Sequence, residues 1–179
     1  DDVIYIDHDY PADSKLTLEF ILRLTKESNQ SVWLDAKNID NEKNCSIVAN
    51  ALEPINGKVL LEFPSSSIDY LTDLEVCFRD LEHKVDYISY YVPTNELLAC
   101  TNGQIEICDN LKFRLRKINK SPYFNSISFD FRGIDFILSL KPELNNMYFH
   151  AWGIKNVKNP KISHLTMAIV SSSSMRNHY

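Results

Sequence analysis

Glycine is scarce. Four glycines in 179 residues supply neither a G-x-x-x-x-G-K loop nor a G-x-G-x-x-G turn, so the backbone nests that cradle nucleotide phosphates are absent. No G-x-S-x-G elbow exists, which removes the nucleophile turn of the α/β-hydrolases. Cys45, Cys77, Cys100 and Cys108 form no C-x-x-C pair, and no histidine stands at zinc-finger spacing from them. By spacing they read as core or reduced thiols rather than a disulfide framework, which points to a cytoplasmic setting over a secreted one. Three N-x-S triplets begin at Asn29, Asn44 and Asn119, and in a sequence rich in Asn and Ser they carry little weight. Cationic residues are in deficit: 19 Lys and Arg stand against 24 Asp and Glu, for a net charge of −5. That is the reverse of the usual nucleic-acid binder, so no nucleic-acid partner is expected. No apolar run approaches the roughly 18 residues of a membrane span, and no transmembrane segment is expected.

What is present is a 44% hydrophobic chain of a length that suits one core-bearing domain. We expect a single domain over residues 1–170 and a polar, Ser-rich tail over 171–179. The sequence opens on Asp1-Asp2 and runs directly into the apolar Val3-Ile4-Tyr5-Ile6, with no initiator Met and no signal-type n-region. It reads as a processed product or a piece of a longer chain.

Apolar runs alternate with helical patterns. Val3–Ile6 reads as a strand. Thr17 can cap a helix carrying Leu18, Ile21, Leu22 and Thr25 on one face. Val32-Trp33-Leu34 is a strand, followed by a helix opening at Asn44 or Ser46 with Ile47, Val48, Ala51 and Leu52 inward. Lys58–Phe63 is a strand, and the stripe of Ile68, Leu71, Leu74, Phe78 and Leu81 predicts a helix over about 67–83. Asp86–Val92 is a strand and Leu97-Leu98-Ala99 a short helix. Lys112-Phe113-Arg114-Leu115-Arg116 alternates with period two and reads as an extended edge with one basic face. Ser126–Phe131 and Met147–Ile154 are strands, with Ile134, Ile137 and Leu138 forming a helix face between them. Strands that alternate with helices in this way predict an α/β fold with a parallel sheet.

In a parallel sheet the site lies at the carboxyl ends of the strands. Successive strands finish on Asp7-His8-Asp9, Asp35-Ala36-Lys37-Asn38, Glu62, Ser89-Tyr90-Tyr91 with Thr94, Asp130 with Arg132, and His150 with Trp152. A shared mouth lined by an imidazole, carboxylates, a lysine and aromatic walls suits metal-assisted chemistry on a phosphate or sugar. The plainer alternatives are a turn histidine bonded to Asp7 or Asp9, and a strand-end salt bridge between Asp35 and Lys37.

The order His8-Asp9, then Leu16-Thr17-Leu18-Glu19-Phe20-Ile21-Leu22, then Trp33-Leu34-Asp35-Ala36-Lys37-Asn38 resembles the glycerophosphodiester phosphodiesterases, which belong to the phospholipase-C-like phosphodiesterase barrels. Ser89-Tyr90-Tyr91-Val92-Pro93-Thr94, Ser128-Phe129-Asp130-Phe131 and Trp152 resemble later strands of that barrel. The resemblance implies a TIM-type (β/α) barrel that lacks its first one or two βα units, since 179 residues fall short of the roughly 250 of a whole barrel. It implies metal-dependent hydrolysis of a small-molecule glycerophosphodiester or related phosphodiester with Mg²⁺ or Ca²⁺. His8 and Lys37 are the implied catalytic residues, Asp35 and Glu62 the metal ligands, and Tyr90, Tyr91 and Trp152 the substrate contacts. The family's His-Arg-Gly strand, its Glu-Asn-Thr and the acidic pair of its second strand have no counterpart after Asp1, so the chain alone is expected to be inactive. Two other functions remain open: a non-catalytic module binding phosphosugar or phospholipid head groups, and a lyase that forms a cyclic phosphate.

Overall fold

The structure, a computed structural model, describes residues 17–36, 39, 41–52 and 56–170. The expected strand Val3–Ile6, His8, Lys37 and the tail over 171–179 lie outside the described residues. The chain divides into two compact units, Asp1–Ile88 and Ser89–Tyr179.

The first unit begins with helix α1, Leu18–Ser28, whose Thr17 cap accepts a hydrogen bond from the Phe20 N–H at 3.2 Å. Leu18, Leu22 and Thr25 face inward, one turn apart, as the periodicity predicts. Asn29 closes the helix in the left-handed region, with φ of 54°, a conformation asparagine tolerates better than most residues. Strand β1, Val32–Asp35, then pairs in parallel with β2, Val59–Phe63. Helix α2, Glu42–Ala51, lies between them in sequence, and α3, Glu75–Glu82, follows a short 3-10 turn at Ser65–Asp69. The helix expected over 67–83 is thus broken, and its stripe survives except at Leu71: Ile68, Leu74, Phe78 and Leu81 are buried and Leu71 is half-buried.

Two corrections fall in this unit. Helix α2 starts earlier than expected because Asn41, not Asn44 or Ser46, caps it and accepts from the Asn44 N–H at 2.9 Å. Its inward face is centred on Cys45 and Ala49, with Ile47, Val48 and Ala51 only half-buried. The second correction is at Cys45, which is not a reduced thiol but forms a disulfide with Cys77 of α3, the two Cα atoms 5.8 Å apart. The bridge lies on the buried face of α2, which Cys45 shares with Ala49. A separation of 32 residues carries no spacing signal, which is why the pairing does not show in the sequence.

Strand β3, Tyr87–Tyr91, crosses the division between the units. In the second unit its residues Ser89–Tyr91 pair in parallel with β4, Ser126–Asp130, which pairs in parallel with β5, Tyr148–Ile154. Strand β6, Met167–Val170, adds in parallel to β5, where no strand is predicted from the sequence. Helices α4, Thr94–Thr101, and α5, Ile105–Asn119, connect β3 to β4, and α6, Ile134–Ser139, connects β4 to β5. The α/β character and the parallel pairing expected from the alternation are both present.

The extended edge expected at Lys112–Arg116 is instead the middle of α5. Cys108, Leu111, Leu115 and Ile118 are buried at helical spacing, and the alternation inside this longer stripe is incidental. The basic residues are engaged with acids: Arg114 with Glu96, Arg116 with Glu143, and Lys112 with Asp109.

Candidate functional sites

The first unit places Asp35 and Glu62 side by side. They are register partners at the carboxyl ends of β1 and β2, so their Cα atoms stand about 4.8 Å apart and both side chains leave the sheet on the same face. Backbone pairing continues past them, with the Ala36 N–H donating to the Glu62 carbonyl at 2.9 Å. Asp35 is exposed while Glu62 is buried, at 3% exposure. Strand β2 is buried along its whole length, and Glu62 is its one ionisable member. A carboxylate in such a position costs free energy unless it is compensated, so the ending of KVLLEF is more than a charged exit to solvent.

Two hard oxygen donors on adjacent strands fit Mg²⁺ or Ca²⁺, both of which take carboxylate oxygen. No group of three or more His, Cys, Asp and Glu that could hold a metal ion occurs among the described residues. Asp35 and Glu62 are two such residues and do not by themselves make a group of that size.

The second unit builds a different constellation. Period-two alternation sends Ser126, Ser128 and Asp130 of β4 to one face and Ile127 and Phe129 to the other. Register then aligns Tyr91 with Ser128 and His150, and Asp130 with Trp152. The same rule separates the tyrosine pair. Tyr90 is on the opposite face, wholly buried, with its ring edge-on to Phe124 at 6.1 Å. Its place is in the core, whereas Tyr91 is half-buried on the polar face, its ring stacked on Trp152 with centroids 5.5 Å apart and planes 7° from parallel.

That stack bridges β3 and β5 across the intervening β4. Residues on strands two apart are about 9.6 Å from each other, so their rings meet only if the middle strand contributes something small. The line from Tyr91 to Trp152 crosses β4 between Ser128, the register partner of Tyr91, and Asp130, that of Trp152, and Ser128 is small and fully buried. The ring of Trp152 is helped into place by an irregularity in β5. Ala151 pairs with Ala168 and Ile154 with Val170, leaving Trp152 and Gly153 opposite one residue of β6. This bulge needs a positive φ, and Gly153 supplies it at 74°.

Asp130 ends β4 and is locked by Arg132. The guanidinium donates through Nε to Oδ1 at 2.9 Å and through Nη2 to Oδ2 at 2.7 Å, and the Arg132 backbone N–H adds a third bond to Oδ1 at 2.9 Å. Burial pushes the Asp130 carboxyl upward, but these bonds and the Arg132 charge outweigh it and hold the acid below its ordinary value. Asp130 is consequently a fixed anion that orients Arg132, whose side chain remains 62% exposed.

His150 is in the middle of its strand rather than at its end, and fully buried. Burial lowers its pKa to about 3, so the imidazole is neutral at physiological pH and carries no cation into the site. Its neighbours in register, Ser128 and Met167, are small or apolar. Strict alternation in YISYY, SISFD and YFHAW carries the signal for the polar face of Ser89, Ser126, Ser128 and His150.

No protein-family model matches the sequence, and no curated protein matches it either. No helix among the described residues is long and apolar enough to cross a membrane.

Proposed function

We propose that the protein acts on a phosphodiester with the help of a divalent cation, as a TIM-type barrel resembling the glycerophosphodiester phosphodiesterases. The observation that carries this reading is the pairing of Asp35 with Glu62 in register on adjacent parallel strands. Resemblance in sequence assigns the remaining roles. His8 moves the proton between water, alcohol and phosphoryl oxygens, and Lys37 contacts the phosphate. Tyr91 and Trp152 provide an aromatic wall in the second unit. Asp35 and Glu62 would hold Mg²⁺ or Ca²⁺, which supplies charge neutralisation at the phosphoryl oxygens. Tyr90 has no part in this scheme, since its ring belongs to the core.

The Cys45–Cys77 bridge supports an oxidising compartment in place of the cytoplasmic setting read from cysteine spacing.

Calorimetric titration with Mg²⁺ and Ca²⁺, followed by ³¹P NMR of glycerophosphocholine incubated with metal and the chain extended at its N-terminus by the βα units that the resemblance implies, tests the assignment. The expected result is divalent binding that Asp35→Asn and Glu62→Gln each weaken by at least about tenfold, a loss of about 1.4 kcal/mol, with a phosphomonoester as product. A cyclic phosphate product identifies the lyase, and head-group binding without turnover identifies the binding module. Metal binding unchanged in both variants overturns the role of the carboxylate pair.

A further inference from the structure

Three N-x-S triplets stand in the sequence, at Asn29, Asn44 and Asn119, and the fold treats them differently. Asn119 is the last residue of α5. Its Nδ2, the atom to which an N-linked sugar attaches, donates to the Glu143 carbonyl at 3.1 Å, and its Oδ1 is buried. A sugar on that nitrogen would crowd the Glu143 backbone. Asn44 is half-buried in the first turn of α2, directly before Cys45, whose bridge to Cys77 lies on the buried face of the helix. Asn29, by contrast, is exposed, and so are Ser28, Gln30 and Ser31 around it. It closes α1 in the left-handed region, at φ of 54°, and opens the turn into β1. That is the surface-loop setting of an acceptor asparagine. The turn is also fixed in place. Ser31 Oγ accepts from the Lys58 N–H at 3.0 Å, the Val32 N–H donates to the Lys58 carbonyl at 2.8 Å, and a Cβ on Gly57 would overlap the Gln30 carbonyl. The segment leading into β2 thus packs on the backbone of the turn while Asn29 stays in solvent.

We propose that Asn29 carries an N-linked oligosaccharide and that Asn44 and Asn119 do not. This rests on the oxidising compartment inferred from the Cys45–Cys77 bridge. The sugar donor is a polyprenyl-diphosphate-linked oligosaccharide, and the transfer is a substitution with no redox change. Asn29 Nδ2 forms a bond to C1 of the first sugar, and the bond from C1 to the diphosphate oxygen breaks. The diphosphate leaves with that electron pair, and one Nδ2 proton passes to a base of the transferase. The Ser31 hydroxyl belongs to the acceptor motif, yet in the folded chain it is engaged by the backbone of Lys58, 27 residues away. Transfer therefore precedes the pairing of β1 with β2, and the fold then leaves the glycan in solvent at the end of α1.

Peptide mass spectrometry tests this. The protein is purified from its own cells with free thiols blocked by iodoacetamide, digested with trypsin and treated with peptide N-glycosidase in heavy-oxygen water. Trypsin releases Asn29 in the peptide from Glu27 to Lys37. That peptide is expected only after the glycosidase, with Asn29 turned into a labelled aspartate about 3 Da heavier than the encoded residue. Asn44 and Asn119 should keep their encoded masses. The variant Asn29→Asp, whose side chain tolerates the left-handed turn, should be smaller by one whole glycan and unchanged by the glycosidase. An encoded mass at Asn29 with Cys45 and Cys77 bridged overturns the glycan and leaves the oxidising compartment standing. An encoded mass with both of those cysteines alkylated overturns the compartment, and the glycan with it. A glycan on Asn44 or Asn119 overturns the choice of Asn29 alone.

Discussion

Tyr91 and Trp152 stack face to face at 5.5 Å although a strand separates the two that carry them. Ser128 of that middle strand, the register partner of Tyr91, is the small residue beside the contact. The substitution Ser128→Leu is expected to separate the rings and to cost about 1–3 kcal/mol by overpacking. Ser128→Ala, which keeps the space, should be close to neutral, since the Ser128 hydroxyl makes only a long 3.5 Å bond to the Tyr90 carbonyl. Near-UV circular dichroism reads the stack and urea unfolding reads the stability. Retention of the ring signal in the leucine variant would sink the spacer role.

Gly153 holds the bulge beside Trp152 at a φ of 74°. A Cβ placed there would meet the Asp130 Oδ1 at 3.8 Å, an ordinary contact, so the penalty of Gly153→Ala is conformational and not steric. About 1–2 kcal/mol of destabilisation is expected, with the Tyr91–Trp152 dichroism diminished. A neutral effect on both would show that the bulge survives without glycine.

His150 makes stability depend on pH. Its folded pKa, lowered to about 3, lies below the 6.5 of a free imidazole. Between those values the unfolded chain binds a proton that the folded chain refuses, so stability falls as pH falls through 6.5. About 2 kcal/mol should be lost between about pH 7 and pH 5. Asp130 acts in the same direction but only at lower pH, because its carboxyl, held down by Arg132, resists protonation until below its ordinary value of 3.8. Urea unfolding at pH 7, 6 and 5 of the unsubstituted chain and of His150→Gln isolates the histidine. The slope should flatten in the variant, and equal slopes would refute the assignment.

Loss of the Cys45–Cys77 bridge opens a loop of sequence separation 32. Loop-closure entropy puts the cost at about 3–4 kcal/mol. The Cys45→Ala/Cys77→Ala chain should lose that much unfolding free energy in urea, with a lower midpoint, and the small cavities at two buried positions add to the loss. A midpoint within experimental error of the unsubstituted chain would mean that the bridge contributes nothing.

Most of the framework was legible because hydrophobic periodicity and strand alternation are local. The cap at Thr17, the inward face of α1 and the strands β1 to β5 all follow from windows of five to eleven residues. Asp35 and Glu62 were legible for the same reason, each being the polar end of an apolar run. What was not legible depends on distance or on a longer window. The alternation of Lys112–Arg116 misleads over five residues and resolves only when Cys108 and Ile118 are included. The bridge of α2 depends on a partner 32 residues away. The run Met167–Val170 has no alternation, and three of its four residues are exposed, so it carries neither a core pattern nor a surface one. Adjacent Tyr90 and Tyr91 look alike in sequence, and only the pleat assigns one to the core and the other to the stack.

The span closed by Cys45 and Cys77 contains the whole of β2, and with it Glu62. It also contains the exposed residues Asp69, Tyr70, Thr72 and Asp73 ahead of α3, the kind of surface at which proteases cut. A single cut there leaves Glu62 on one piece and the buried Phe78 and Leu81 on the other, with the sulfur bridge still joining them. Backbone continuity is therefore dispensable at this point: a nicked chain keeps the carboxylate of β2 covalently tied to the helix that follows it, and parts into two only when reduced.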